Sequence, residues 1–140
     1  MSGKLEAERL ISSVKPLAEE MLREHGEFYP YGGYLQFDGS VVHVGVKDPK
    51  TDHPKSVESI ESLWSYFEEL AHDGLCTVFA LVFDVRVRPP GFDLKTDAIQ
   101  ICVEHIDGYS AEVFYPYTVV NNELAYAPTF AHDATRRIFQ

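Results

Sequence analysis

Cations are scarce in this 140-residue chain: Lys and Arg number 12 against 22 Asp and Glu, a formal net charge of −10. Phosphate contacts supply most nucleic-acid affinity, so this balance argues against a nucleic-acid partner. It argues against an anionic membrane surface for the same reason. Cysteine is nearly absent as well. Cys76 and Cys102 are the only two, each inside an apolar strand-like run, where a free thiol behaves as a small hydrophobe. No apolar run is long enough to cross a bilayer as a helix. Met1-Ser2-Gly3-Lys4 leads straight into a charged helical pattern without the apolar core of a signal peptide. A cytoplasmic location with reduced thiols is expected.

Motifs of known chemistry are missing too. No Walker or dinucleotide glycine pattern occurs, and Gly32-Gly33 lacks the strand–helix context of a phosphate loop. There is no Gly-x-Ser-x-Gly elbow. His25, His43, His53, His72, His105 and His132 are scattered without zinc-ligand spacing. Asp48, Asp52 and His53 share a loop but lack the calcium-loop spacing. The sequence therefore nominates no catalytic residue, no metal and no cofactor.

What is present is an ordinary globular composition, 45% hydrophobic and 24% charged. The length suits one domain over residues 1–140. Leu10, Val14, Leu17 and Met21 form a helical stripe within residues 5–25, and Pro16 predicts a kink or a break near residues 12–16. Asp38-Gly39 predicts a hairpin with a two-residue type I′ turn. That register pairs 35 with 42 and 33 with 44, and sets Leu35, Phe37, Val42 and Val44 on one face. After a polar loop over residues 47–55, Ser56 caps a second helix. Its stripe is Val57, Ile60, Leu63, Trp64, Phe67, Leu70 and Ala71.

Leu75 to Arg88 reads as one long strand whose first half is apolar on both faces, as in a central strand covered by helices. Residues 97–106 and 109–117 form a second hairpin. There a three-residue turn, Ile106-Asp107-Gly108 with Gly108 left-handed, is the one that joins Ile99, Ile101 and Val103 to Ala111, Val113 and Tyr115. Asn121-Asn122 turns the chain into a short edge strand at 124–126, and a short helix is expected over 131–138. The expected fold is α+β: an antiparallel sheet of about five strands, order α-β-β-α-β-β-β with a short C-terminal tail, helices packed on the sheet.

This element order resembles the roadblock/profilin-like architecture. Glu27-Phe28-Tyr29-Pro30-Tyr31-Gly32, Phe83-Asp84-Val85-Arg86-Val87, Val103-Glu104-His105 and Phe114-Tyr115-Pro116-Tyr117 are similar to strings in small uncharacterised bacterial proteins of unknown function. The resemblance implies a bacterial cytosolic protein and transfers no catalytic residue. Toxin-neutralising immunity proteins share the same small, acidic style.

Three surfaces stand out. The second helix presents Glu58, Glu61, Glu68 and Glu69, and residues 56–75 contain no Lys or Arg. Such a field suits a basic protein partner. Tyr29, Tyr31 and Tyr34 form an aromatic stretch of the kind enriched at interfaces. Asp84, Arg86, Arg88, Glu104 and Glu112 are candidates for a polar ligand-binding sheet face, with Glu104 across from Arg86 or Arg88. Glu104 and His105 are neighbours in a strand, so they point to opposite faces and form no dyad. The leading reading is a non-catalytic protein-interaction protein, immunity-like, that pairs hairpin edges in a homodimer. The alternative is a small-ligand binder or enzyme centred on Arg86 and Glu104.

Overall fold

The computed structural model describes residues 3–45, 56–134 and 137–139. Val46 and the expected loop with Lys47, Asp48, Lys50, Asp52, His53 and Lys55 lie outside the described residues, and so does the Val57 side chain. The elements are α1 (Gly3–His25), β1 (Tyr31–Leu35), β2 (Val41–Gly45), α2 (Ser56–His72), β3 (Val78–Val87), β4 (Thr96–His105), β5 (Ser110–Val120), β6 (Glu123–Tyr126) and β7 (Phe130–Asp133). Every strand pairing is antiparallel. The sheet has seven strands in the order β2-β1-β3-β4-β5-β6, with β7 also on β5.

The fold is α+β, with helices on the sheet as expected; to the five or so strands expected it adds the short edge strand anticipated at 124–126, which is β6, and one strand more. The unexpected strand is β7, Phe130–Asp133, where a short helix was expected over 131–138. Phe130 lies directly across from Phe114, and both Phe130 and His132 stack on its ring at 4.8 and 5.1 Å. Cross-strand aromatic pairs of this kind favour the strand.

Alternation along β3 divides the core. Val78, Ala80 and Val82 join Ile99, Ile101 and Val103 of β4 beneath Ala7, Leu10, Val14, Ala18 and Leu22 of α1. Phe79 and Leu81 join Leu63, Phe67 and Leu70 of α2. The two helices thus cover opposite faces, and a strand buried on both sides needs the continuous apolar run that β3 has. The α1 stripe is rotated from the expected one: Leu17 is exposed, and Ala18 takes the inward place.

Both helices approach β1 closely. A Cβ at Gly32 would sit 2.8 Å from the Phe67 ring and 2.5 Å from the Ala80 carbonyl oxygen; one at Gly33 would sit 2.8 Å from Val14. The glycine pair is a packing device.

Pro16 does not break α1, which runs unbroken from Gly3 to His25. The disturbance falls two rungs away. The Tyr31 hydroxyl donates to the Val14 carbonyl and accepts from the Ala18 N–H, 3.0 Å away. An undisturbed helix would pair those two groups with each other. The side chain is inserted into the ladder beside the proline.

The second hairpin has the expected register, Val103 opposite Ala111 and Ile101 opposite Val113, with Gly108 at φ 117°. The first hairpin corrects the sequence reading by one residue. Leu35 pairs with Val41 and Tyr34 with Val42. A type I′ turn needs positive φ at both central residues. Gly39 has it, at 91°, and Asp38 does not. The turn is therefore the three-residue kind, closed by Gly39 N–H to Gln36 (3.0 Å) and Gln36 N–H to Ser40 (2.9 Å). Asp38 Oδ1 accepts from the Ser40 N–H at 2.9 Å and fixes the corner. The slip exchanges faces: Leu35 and Val41 pack under α1, while Tyr34, Val42 and Val44 pack under α2. Phe37 is left at the tip, 64% exposed. Positive φ at both turn residues occurs instead at Asn121 and Asn122, between β5 and β6.

Candidate functional site

Glu104 is the next-to-last residue of β4 and only 3% exposed. A buried carboxylate is costly unless it is hydrogen-bonded. Here it accepts main-chain N–H groups from Arg137 (3.0 Å), Ile138 (2.9 Å) and Phe139 (2.7 Å). Residues 137–139 are thereby strapped across the sheet end. The Phe139 ring is buried in the α2-side core, 5.9 Å from Phe79. Across from Glu104 in the ladder is Phe79, whereas Arg86 faces Asp97, 3.4 Å away. The expected Glu104–Arg86 or Glu104–Arg88 pairing is corrected accordingly: the register separates them by most of a strand.

Arg137 turns from the strap onto α2. Its Nε donates to Glu68 at 3.0 Å and its Nη2 to Glu61 at 3.1 Å, with the guanidinium 4.9 Å from the centre of the Trp64 ring. Spacings of three and four residues put Glu61, Trp64 and Glu68 on one helical face. The two carboxylates, Glu61 first, raise the arginine's pKa above its ordinary value. Next to the strap is an open groove of about 540 Å³ lined by Glu68, Ala71, His72, Ile106, Ile138 and Phe139, among others.

Glu58, Glu61, Glu68 and Glu69 are all exposed on α2, as the sequence implied. The expectation that this face has no compensating cation is corrected at Glu61 and Glu68, where Arg137 supplies one. The aromatic stretch is corrected more fully. Tyr31 and Tyr34 are buried, on the α1 and α2 sides respectively, and Tyr29 is half-buried. Strand alternation sends the first two into separate cores, so they offer no common docking surface.

The polar pocket is not assembled either. Asp84 and Arg86 follow Val82 on the α1 side of β3, while Glu104 and Glu112 share the other side of the sheet. Arg88 lies exposed beyond the end of β3. Asp84 instead accepts from the Tyr117 hydroxyl at 2.8 Å. Desolvation holds the Asp84 carboxyl above its usual range, and the Tyr117 hydrogen bond works against that rise.

A cluster the sequence reading did not single out lies on the α1 side. His105 Nε2 is 2.9 Å from Glu6, and its Nδ1 accepts from the Asp107 N–H at 3.0 Å. Asp107 accepts from the Gly3 N–H at 2.9 Å and the Tyr109 N–H at 3.1 Å. Those N–H groups, that of Tyr109 first, hold the Asp107 carboxyl below its usual range. The cluster ties the start of α1 to the β4–β5 turn.

Burial pushes the Cys76 thiol up to about 11 and the Cys102 thiol up to about 12, far from a reactive thiolate. Among the described residues, no group of three or more His, Cys, Asp or Glu is placed to hold a metal, and no helix is long and apolar enough to cross a membrane.

Arg137, Trp64 and Phe139 are the functional candidates that sequence reasoning passed over. A signal existed: Arg136-Arg137-Ile138-Phe139 is a basic, apolar string in an otherwise acidic chain. Comparison with protein-family models, with curated proteins and with solved structures found no match.

Proposed function

We propose that this is a non-catalytic interaction protein whose α2 face docks a basic protein partner, in the manner of a toxin-neutralising immunity protein. The observation that supports this is the seat of Arg137. Two exposed glutamates and a tryptophan hold one guanidinium in a geometry that suits arginine from any source. Glu58 and Glu69 extend the same negative field along the helix.

The experiment is to crosslink the protein to its neighbours in the cell, identify the partner, and measure association by stopped flow. The expected partner is basic, associates faster at low salt, and is slowed when Glu58, Glu61, Glu68 and Glu69 become Gln. A partner that associates with the four-Gln variant at the wild-type rate in low salt overturns the reading.

A further inference from the structure

We propose that the groove between α2 and the end of β4 is a peptide-recognition site that the 137–139 strap occupies in cis, and that its outside ligand is a short protein segment, bent as the strap is, bearing arginine followed two residues later by an aromatic. This rests on the α2-face reading and deepens it.

The way the strap is held carries the inference. Glu104 takes three successive main-chain N–H groups; these point to opposite sides in an extended chain and converge on one carboxylate only where the backbone bends, as it does at Ile138. Side-chain selection sits at two anchors, the Arg137 fork on Glu61 and Glu68 and the Phe139 ring against Phe79. A backbone whose successive N–H groups cup one carboxylate, with a side chain anchored on either side of the bend, gives a short linear motif both a grip and a sequence preference. The groove also continues beyond the strap. Its volume of about 540 Å³ is open at Ile106, which is 49% exposed. Charge complementarity sets the sign of the occupant: α2 carries Glu58 and Glu69 besides the engaged pair, in a chain of net charge −10. A strap bound in cis lowers the apparent affinity for an outside segment by the fraction of time the groove is vacant.

The test uses the full chain, the variant R137A/F139A to vacate both anchors, and a synthetic peptide copying residues 134–140. Trp64 is the only tryptophan, so its emission reports the seat directly. The peptide is expected to give a saturable change with R137A/F139A, at least about tenfold tighter than with wild type. Alanine at its positions 137 and 139 is expected to abolish binding. No saturable change in a folded R137A/F139A overturns the proposal. Equal binding of a peptide that keeps the arginine but lacks the aromatic also overturns the groove, while leaving the acidic-face reading standing. A concentration-dependent dimer of wild type, absent in R137A/F139A, assigns the groove to a second copy's strap and overturns the outside partner. Should R137A/F139A fail to fold, amide hydrogen exchange of the wild type decides. The amides of Arg137, Ile138 and Phe139 are expected to exchange at least about 100-fold faster than those of Val82 and Ile101. Equal rates mean that the strap opens only with the whole fold, and overturn the proposal.

Discussion

Glu104 Oε1 accepts the Phe139 main-chain N–H at 2.7 Å, and both residues are buried. The bond closes the molecule between β4 and the strap. In Glu104→Gln one oxygen becomes an NH₂ group facing other N–H donors. A loss of about 1–3 kcal/mol is expected, the usual penalty for a buried donor left without an acceptor. Urea unfolding measures it. An unchanged midpoint and unchanged Trp64 emission would mean that the carboxylate does not hold the strap.

Tyr31→Phe removes the hydroxyl from the α1 ladder. Val14 and Ala18 can then re-form their own rung, which limits the damage. The expected cost is about 1 kcal/mol, the net worth of an ordinary hydrogen bond. Thermal unfolding of the purified variant gives the value. A loss several times larger would show that α1 cannot close past Pro16 without the hydroxyl.

The acidic residues of α2 are expected to divide into two kinds. Glu58→Gln with Glu69→Gln leaves stability about level: the first gives up a favourable charge in the first turn of α2, and the second removes an unfavourable one near its C-terminus. Glu61→Gln with Glu68→Gln loses about 0.5–1 kcal/mol, since Arg137 loses charged partners in a half-exposed pair. High salt should shrink that loss. Equal effects of the two double variants, at low salt, would contradict the observed pairing.

Asp84 is expected to respond to its tyrosine. Desolvation raises its pKa, so the folded state keeps the proton to higher pH than the unfolded chain does. Its contribution to stability is therefore greatest below the unfolded pKa and falls as pH rises through the folded value. Tyr117→Phe deletes a hydrogen bond to the charged form, so the pKa should climb further. A carboxyl-carbon NMR titration follows it; a fall in pKa would show that the hydroxyl does not donate to Asp84.

Much of the fold was legible because single residues settle it. Gly108 and the apolar residues around it allow one register, and the strand pairs confirm it. The first hairpin was harder because all five residues of β1 are buried. With both faces covered, the hydrophobic pattern no longer selects a register, and the Asp38–Ser40 contact decides. The candidate site was half legible. The glutamates of α2 are where periodicity put them. Their cation comes from about seventy residues away in sequence, and no local pattern announces a contact of that range. Tyr31 and Tyr34 misled because a tyrosine with its hydroxyl bonded can be core, as Tyr31 is through its bonds to α1.

Gly32 and Gly33 give separate handles on the two layers. A methyl at 32 presses on Phe67 and so on α2, whereas one at 33 presses on Val14 and so on α1. Gly32→Ala and Gly33→Ala each insert volume into a packed seam, at a cost of about 1–3 kcal/mol. In either variant, a probe on each helix shows whether injury to one layer is felt in the other. Coincident melting means that β1 transmits force across the whole thickness of the molecule; staggered melting means that each helix and its side of the sheet is a mechanical unit of its own.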